Sequence, residues 1–326
     1  MLLNTIYPDG RHPFSVIYKG RINLYAIAGG IMQASIVLKH STERDRFISL
    51  TPFDATPHTW QNEIEECDKF GVDINNIFYL CNYAKQFEEC KSYGLNCSYI
   101  VETNYVDWHF WKPTNVSKLY DGLVSCRPNN HKRPFLTSKV KNLAVVVGGI
   151  TSMEKVHGEV DMRDIPHAFI NERFLSAKEM KKIHNLSRTY ICTSLTEGAC
   201  RSSSQSLLCG VPVISMSDAT GGREVYYNEY NSIICKPTQE AVKDAVEQAL
   251  EKKWDREKIR SNYLDQAMGF RKATYQLIEE ILSEGDIKED GEKLFTKAYR
   301  GEQGFSYFGS TYPGEKEIKN LMANNV

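Results

Sequence analysis

The run YICTSLTEGACRSSSQSLLCG from Tyr190 to Gly210, continued by VPVIS, holds the residue types best able to do chemistry in this chain. An apolar segment gives way to a polar turn bearing Glu197. Three consecutive serines follow, then a second apolar segment entered through Cys209-Gly210-Val211-Pro212. Read as strand, turn, helix and strand, the pattern sets a carboxylate just ahead of a helix whose first amides lack intrahelical partners. Those amides attract negative charge, because the aligned peptide dipoles leave the helix N-terminus electropositive. Gln205, with seven residues between it and Glu197, adds a polar amide farther along. A carboxylate, open amides and an amide side chain in one crevice suit a sugar attached to a diphosphate. The amides take the phosphate charge and the side chains take hydroxyls. A purely structural reading competes, since serines cap helices and an acidic side chain complements the dipole without any ligand. It accounts for the serines but not for the order of acidic turn, helix and C-G-V-P strand entry.

The elements around this run decide where it lies. From about Tyr120 the pattern alternates strand and helix, which predicts a parallel sheet covered on both faces. Strands are expected at 120–126, 143–148, 166–170, 189–193, 211–216 and 232–235, with helices at 134–141, 176–186 and 202–209. Charged amphipathic helices follow at 238–252, 255–268 and 270–283, and then a polar tail. In such a sheet, ligands bind beyond the carboxyl ends of the strands, where Glu197 falls. The first ~115 residues are less regular. FSVIY, LYAIA, RFISL and NIFYL read as strands, Ser98–Val101 as a short further one, and 31–41, 58–70 and 83–93 as helices. WHFWKP, ending at Pro113, reads as the boundary. The expected organisation is therefore 1–115, 116–268 and 269–326.

Composition limits the function classes. The chain has 326 residues, 41% hydrophobic and 25% charged, with a formal net charge of −1. That balance provides no global basic field for nucleic acid. No segment approaches the ~18 apolar residues of a membrane span, and the N-terminus lacks a signal-peptide pattern. A cytoplasmic protein is expected, in the host cytoplasm if the source is viral. Nine cysteines include no C-x-x-C pair, so no zinc site is expected, and Cys192, Cys209 and Cys235 read as core thiols.

The Glu197 run resembles the signature of the large retaining glycosyltransferase group with two-domain GT-B architecture, called group one or family four. Glu197-Gly198-Ala199-Cys200, Gln205-Ser206 and Cys209-Gly210-Val211-Pro212-Val213 align with its acidic residue, second acidic residue and C-G-x-P-V entry. Gln205 stands where the family has glutamate. SAKEMKKIHNLSRTYICTS and GGREVYYNEYNSIICKP resemble the segments on either side. YDGLVSCRPNNHK carries Arg127 and, five residues later, Lys132, which match the family's diphosphate-neutralising pair. LTPFDATPHTWQNEI and the segment ending in VDWHFWKP carry weaker echoes, and Gly29-Gly30 reads equally as a glycine loop facing the donor phosphates or as an ordinary turn.

The resemblance implies an α/β fold of two Rossmann-like domains facing a cleft, the N-terminal one reduced. It implies transfer of a hexosyl or pentosyl group from a UDP- or GDP-linked sugar to an acceptor hydroxyl. Configuration would be retained, no cofactor or metal would be required, and domain closure would exclude water. Glu197, Arg127 and Lys132 would carry the chemistry, because the leaving diphosphate gains charge as the glycosidic bond breaks. Gly198, Ala199, Cys200, Arg201, Ser202, Gln205, Leu175 and Gly30 would hold the donor, with Gln205 on the ribose. Asp54 and His58 would shape the acceptor side. The acceptor is a glycan or, as a second possibility raised by the short first domain and Lys/Asn/Tyr-rich style, a hydroxymethylated base in DNA, as in phage enzymes. A non-catalytic nucleotide- or glycan-binding protein is the alternative of another class, motivated by Gln205. The oligomeric state is left open.

Overall fold

A computed structural model describes residues 14–28, 35–51, 57–148, 161–298 and 315–323. Gly29, Gly30, Asp54 and most of the polar tail lie outside the described residues. The chain divides into two compact units. Among the described residues, one comprises those up to Tyr105 together with those from Met268 onward, and the other is Val106–Ala267.

In the first unit, β1 (Phe14–Tyr18), β2 (Asn23–Ala28), β3 (Asp45–Leu50), β4 (Ile77–Cys81) and β5 (Cys97–Tyr99) form one sheet in sequential order. Only the β1–β2 pairing is antiparallel; the other three are parallel. Side-chain alternation shows that both faces are covered, as period-two strands require. Tyr25, Ile27, Phe47, Ile77 and Tyr79 pack on one face with Trp60 of α2 (Pro57–Phe70). The same cluster takes in Val37 of α1 (Ser35–Leu38), Cys90 of α3 (Ala84–Ser92) and Ile318. Leu24, Ala26, Ile48, Leu50 and Leu80 face the other way, onto Ile278, Ile281, Leu282 and Phe295.

The second unit holds the candidate site. β6 (Tyr120–Cys126), β7 (Leu143–Val147), β8 (Phe169–Ile170), β9 (Ser187–Cys192), β11 (Val213–Met216) and β13 (Ser232–Cys235) form a parallel sheet in the order β13-β11-β9-β6-β7-β8. A separate pair, β10 (Thr196–Glu197) and β12 (Thr220–Gly221), stands beside it. The helices are α4 (Ala177–Leu186), α5 (Arg201–Leu208), α6 (Arg223–Tyr226) and α7 (Gln239–Glu251). Counting only the six strands of the large sheet, the order is the doubly wound 3-2-1-4-5-6. Its direction reverses between β6 and β9, the switch point beyond whose carboxyl ends such sheets bind ligands. LAVVV is buried throughout, as a strand covered on both faces must be.

Three details differ from the sequence expectation. Residues 134–141 form no α-helix; a 3-10 turn covers Pro134–Thr137, entered from Arg133 in a left-handed conformation. The two helices expected at 255–268 and 270–283 are one, α8 (Arg256–Ser283), because an interior glycine such as Gly269 costs a helix only ~1 kcal/mol. It is followed by α9 (Gly291–Ala298) and α10 (Glu315–Ala323). The unit boundary lies ahead of WHFWKP. Arg260 donates to the carbonyls of Trp108 and Trp111 at 2.6 Å each, tying that segment into the second unit. Among the described residues, no helix is long and apolar enough to cross a membrane.

His184 of α4 sits at the centre of this unit, edge-on to Trp111 and hydrogen-bonded through Nδ1 to Ser206 Oγ at 2.6 Å. Burial pushes its imidazole from 6.5 down to about 3, with Gln205 acting in the opposite direction. The unfolded chain thus takes up a proton near pH 6.5 that the folded protein refuses until about pH 3. Stability is full above the upper value and falls as pH drops through this window. At 1.36 kcal/mol per unit the loss is on the order of 4–5 kcal/mol. Urea midpoints should therefore fall between pH 7 and pH 4, and His184→Gln should flatten that slope. An equally steep slope in the variant would remove His184 as its origin.

Candidate active site

The site is assembled from the loops leaving β6 and β9. After β6 the chain passes Arg127 and a 3-10 turn, Asn130–Lys132, to reach Arg133 at φ 46° and ψ 42°. A left-handed residue with a side chain costs roughly 1–2 kcal/mol. Arg133 is held there by its own guanidinium, which donates to Thr193 O at 2.9 Å and grips the Asp218 carboxylate at 2.6 and 2.9 Å. Thr193 Oγ1 donates to Lys132 O, and Leu195 N donates to His131 O at 2.8 Å. These contacts lock the two loops together and fix the backbone of Lys132.

Lys132 then reaches across to Glu197, where Nζ pairs with Oε1. Ser194 Oγ donates to the same oxygen at 2.7 Å. The lysine and glutamate side chains are 14% and 20% exposed, so the pair is largely withdrawn from water yet open on one side. Burial opposes the lysine's charge, but the Glu197 carboxylate, with the Cys200 and Cys192 sulfurs where ionised, outweighs it and holds its pKa above the ordinary value. The ammonium therefore stays charged throughout the neutral range. Cys126, ending β6 nearby, is pushed up to about 12 by burial, with Lys132 pulling the other way.

The backbone of Glu197 is fixed separately. It lies opposite Gly221 in the β10–β12 pairing, and Gly222 N donates to its carbonyl at 2.9 Å. Gly221 has φ 98°, and a Cβ built there would stand 1.7 Å from Glu197 O. Only glycine fits this crossing. The Gly-Gly pair thus aims the carboxylate without touching it.

Helix α5 begins right after Cys200, whose side chain makes no capping hydrogen bond to it. Glu197, Ala199, Cys200, Ser203 and Ser204 line one pocket together with Tyr226 and Tyr227. Tyr227 OH donates to Ser203 Oγ at 2.7 Å. Acidic side chain, paired lysine, hydroxyls and the amide end of a helix thus meet at the sheet's switch point. They can hold an anion and the hydroxyls of a group attached to it.

The structure sorts the expected residues. Lys132, Glu197, Ala199 and Cys200 come together. Gly198 is buried in the turn, Arg201 and Ser202 are half-buried at the start of α5, and Arg127 is exposed at the end of β6. Leu175 is buried, while its neighbour Phe174 is 57% exposed. Gln205 is 4% exposed, on the buried side of α5 beside His184, and does not line the pocket. His58 is exposed near the start of α2 in the other unit. Ser194, Tyr227 and the Arg133–Asp218 clamp were not anticipated. The S-D-A-T-G-G stretch offered a signal, an aspartate just ahead of the glycine pair. Cys192, Glu197 and Cys200 also bring their ligand atoms within 4.8 Å of one another, a grouping that cysteine spacing alone does not reveal.

Residues 124–265 match the protein family model described as glycosyl transferases group 1. No curated protein matches the chain. Among solved structures, it is similar to Anabaena HepE in complex with UDP, with TM-score 0.55 and 13% identity over 79% of this chain and 78% of that one. HepE in complex with UDP-glucose matches with TM-score 0.51 and 13% identity, over 74% and 73%. Sucrose-phosphate synthase from Thermosynechococcus elongatus matches with TM-score 0.54 and 13% identity, over 79% and 74%. At these identities the structural likeness establishes the fold, that of the two-domain GT-B enzymes.

Proposed function

We propose that this chain, whose residues 124–265 match the group 1 glycosyltransferase model, transfers sugar from a nucleotide-sugar in a retaining, metal-independent reaction centred on Glu197, Lys132 and Arg127. The observation that carries this reading is the Lys132–Glu197 pair at the switch point, beside the uncapped start of α5. When the glycosidic bond breaks, negative charge grows on the leaving diphosphate. Lys132 is already charged and fixed, so it can meet that charge without reorganising. Arg127 is exposed on the same loop and adds a second cation, while the α5 amides supply aligned dipoles. Glu197 takes sugar hydroxyls and faces the anomeric carbon. The acceptor attacks on the face the diphosphate is leaving, and a departing phosphate oxygen takes its proton, which retains configuration. With these fixed positive groups no metal ion is needed to neutralise the diphosphate.

The donor is proposed to be UDP-linked, in line with HepE, whose structures contain UDP and UDP-glucose. Leu175 and the adjoining Phe174 backbone are proposed to meet the base. The test is a panel of UDP- and GDP-sugars, with glycan and hydroxymethylated-DNA acceptors, followed by mass spectrometry. Release of UDP with a mass gain of one sugar on an acceptor is expected. If every donor stays intact while UDP still binds tightly, the protein binds nucleotides without catalysis and the proposal fails.

A further inference from the structure

Cys192, Glu197 and Cys200 form a Cys-x4-Glu-x2-Cys set whose ligand atoms all lie within 4.8 Å of one another. We propose that these three side chains bind a thiophilic divalent cation such as Zn2+, and that the occupied site excludes the sugar donor. The exclusion rests on the donor-site reading above; the metal site itself does not.

The three groups are held by different elements. Cys192 closes β9, Glu197 is set by the β10–β12 pairing, and Cys200 immediately precedes α5. A tetrahedral zinc ion has bonds of about 2.0–2.3 Å, which places its ligand atoms roughly 3.5 Å apart. Side-chain adjustment of about an ångström would therefore close the set around an ion. Two sulfurs and one oxygen leave the fourth position to water, the pattern of an open rather than a structural zinc site. The sulfurs also select the metal, since Mg2+ and Ca2+ prefer all-oxygen shells. Binding releases the two thiol protons to solvent, leaving a thiolate pair that neutralises the ion.

Lys132 is the charged group that resists. Its Nζ pairs with Glu197 Oε1, which also accepts from Ser194, whereas Oε2 carries neither of these bonds. A cation can thus reach the carboxylate, but only by sharing it with the lysine. Such an ion occupies the groups proposed to meet the sugar and diphosphate. Metal and donor therefore compete.

The test uses the full, reduced protein and Zn2+ alone, in competition with a chromophoric chelator. One ion should bind, and Co2+ in its place should show thiolate charge-transfer absorption. Cys192→Ser and Cys200→Ser should each weaken binding by at least the roughly tenfold that loss of even an outer-shell partner costs. Cys97→Ser, in the other unit, should leave it unchanged. Unaltered affinity in both site variants overturns the metal site. Should Cys192→Ser fail to fold, Cys200→Ser and Glu197→Gln decide the matter. In a second arm, Zn2+ should suppress UDP binding and EDTA should restore it. Zinc binding without UDP binding would keep the metal site and sink the donor reading. UDP binding without zinc binding would do the reverse, and UDP binding untouched by saturating zinc overturns the competition.

Discussion

Glu197→Ala is expected to lower kcat/KM by about a hundred- to a thousandfold, the effect of losing one preorganised electrostatic contact to a transition state. The carboxylate has two tasks in the proposed reaction. It accepts hydroxyls of the bound sugar, and it positions the Lys132 ammonium through their ion pair. Removing it frees that ammonium to wander from the leaving phosphate. The loss should fall mainly on kcat, because the diphosphate contacts proposed for α5 and Arg127 would survive and still bind nucleotide. Lys132→Ala should reverse the balance. It leaves a mostly buried carboxylate facing an incoming diphosphate, so donor binding weakens as well as turnover. Because the two residues act as one unit, the double variant should be little worse than the worse single one. Thermal midpoints guard the interpretation, since an unpaired, largely buried charge also destabilises. Near-normal kcat in Glu197→Ala with an intact fold would mean that the chemistry lies elsewhere.

The second large effect is expected from a residue that touches no ligand. Gly221→Ala forces a Cβ to within 1.7 Å of Glu197 O, at a φ of 98° that a residue with a side chain rarely adopts. Backbone, not a flexible side-chain tip, stands in the way, so the β10–β12 pairing must open. A cost of about 2–4 kcal/mol is expected from clash and strain combined. Displacement of Glu197 by even an ångström should reduce turnover by about a hundredfold. Gly269→Ala is the matched control, because apart from its chain neighbours and the backbone of its own helix no atom lies within 4 Å of the added Cβ. That exchange should stabilise by roughly 0.5–1 kcal/mol and leave turnover alone. Comparable urea midpoints and rates for the two variants would refute the role given to the glycine turn.

The sequence disclosed the second unit well because its strands are short apolar runs separated by charged helices. LAVVV has no other plausible home than the middle of a covered sheet. Glu197 could be singled out as a candidate by its place between strand and helix, and Lys132 by its register with the family it resembles. Neither finding shows that the two side chains touch across a separation of 65 positions. Contacts of that kind depend on how the loops leave β6 and β9, which local pattern does not encode. The same holds for Ser194, the Arg133–Asp218 clamp and the meeting of Cys192 with Cys200. Gln205 shows the opposite limit. Its polar side chain suggested a place in the crevice, but α5 turns that position inward, where it serves His184. In the first unit the alternation of apolar residues along LYAIA and RFISL carried the strands. It could not show that a helix entering from the far end of the chain covers one of their faces.

The most direct test of the central claim is a crystal structure of the protein with UDP. The account predicts the diphosphate against the first amides of α5, with the terminal phosphate within hydrogen-bonding reach of Lys132 Nζ and Glu197 close by. UDP bound with its phosphates away from α5 and Lys132 would contradict it.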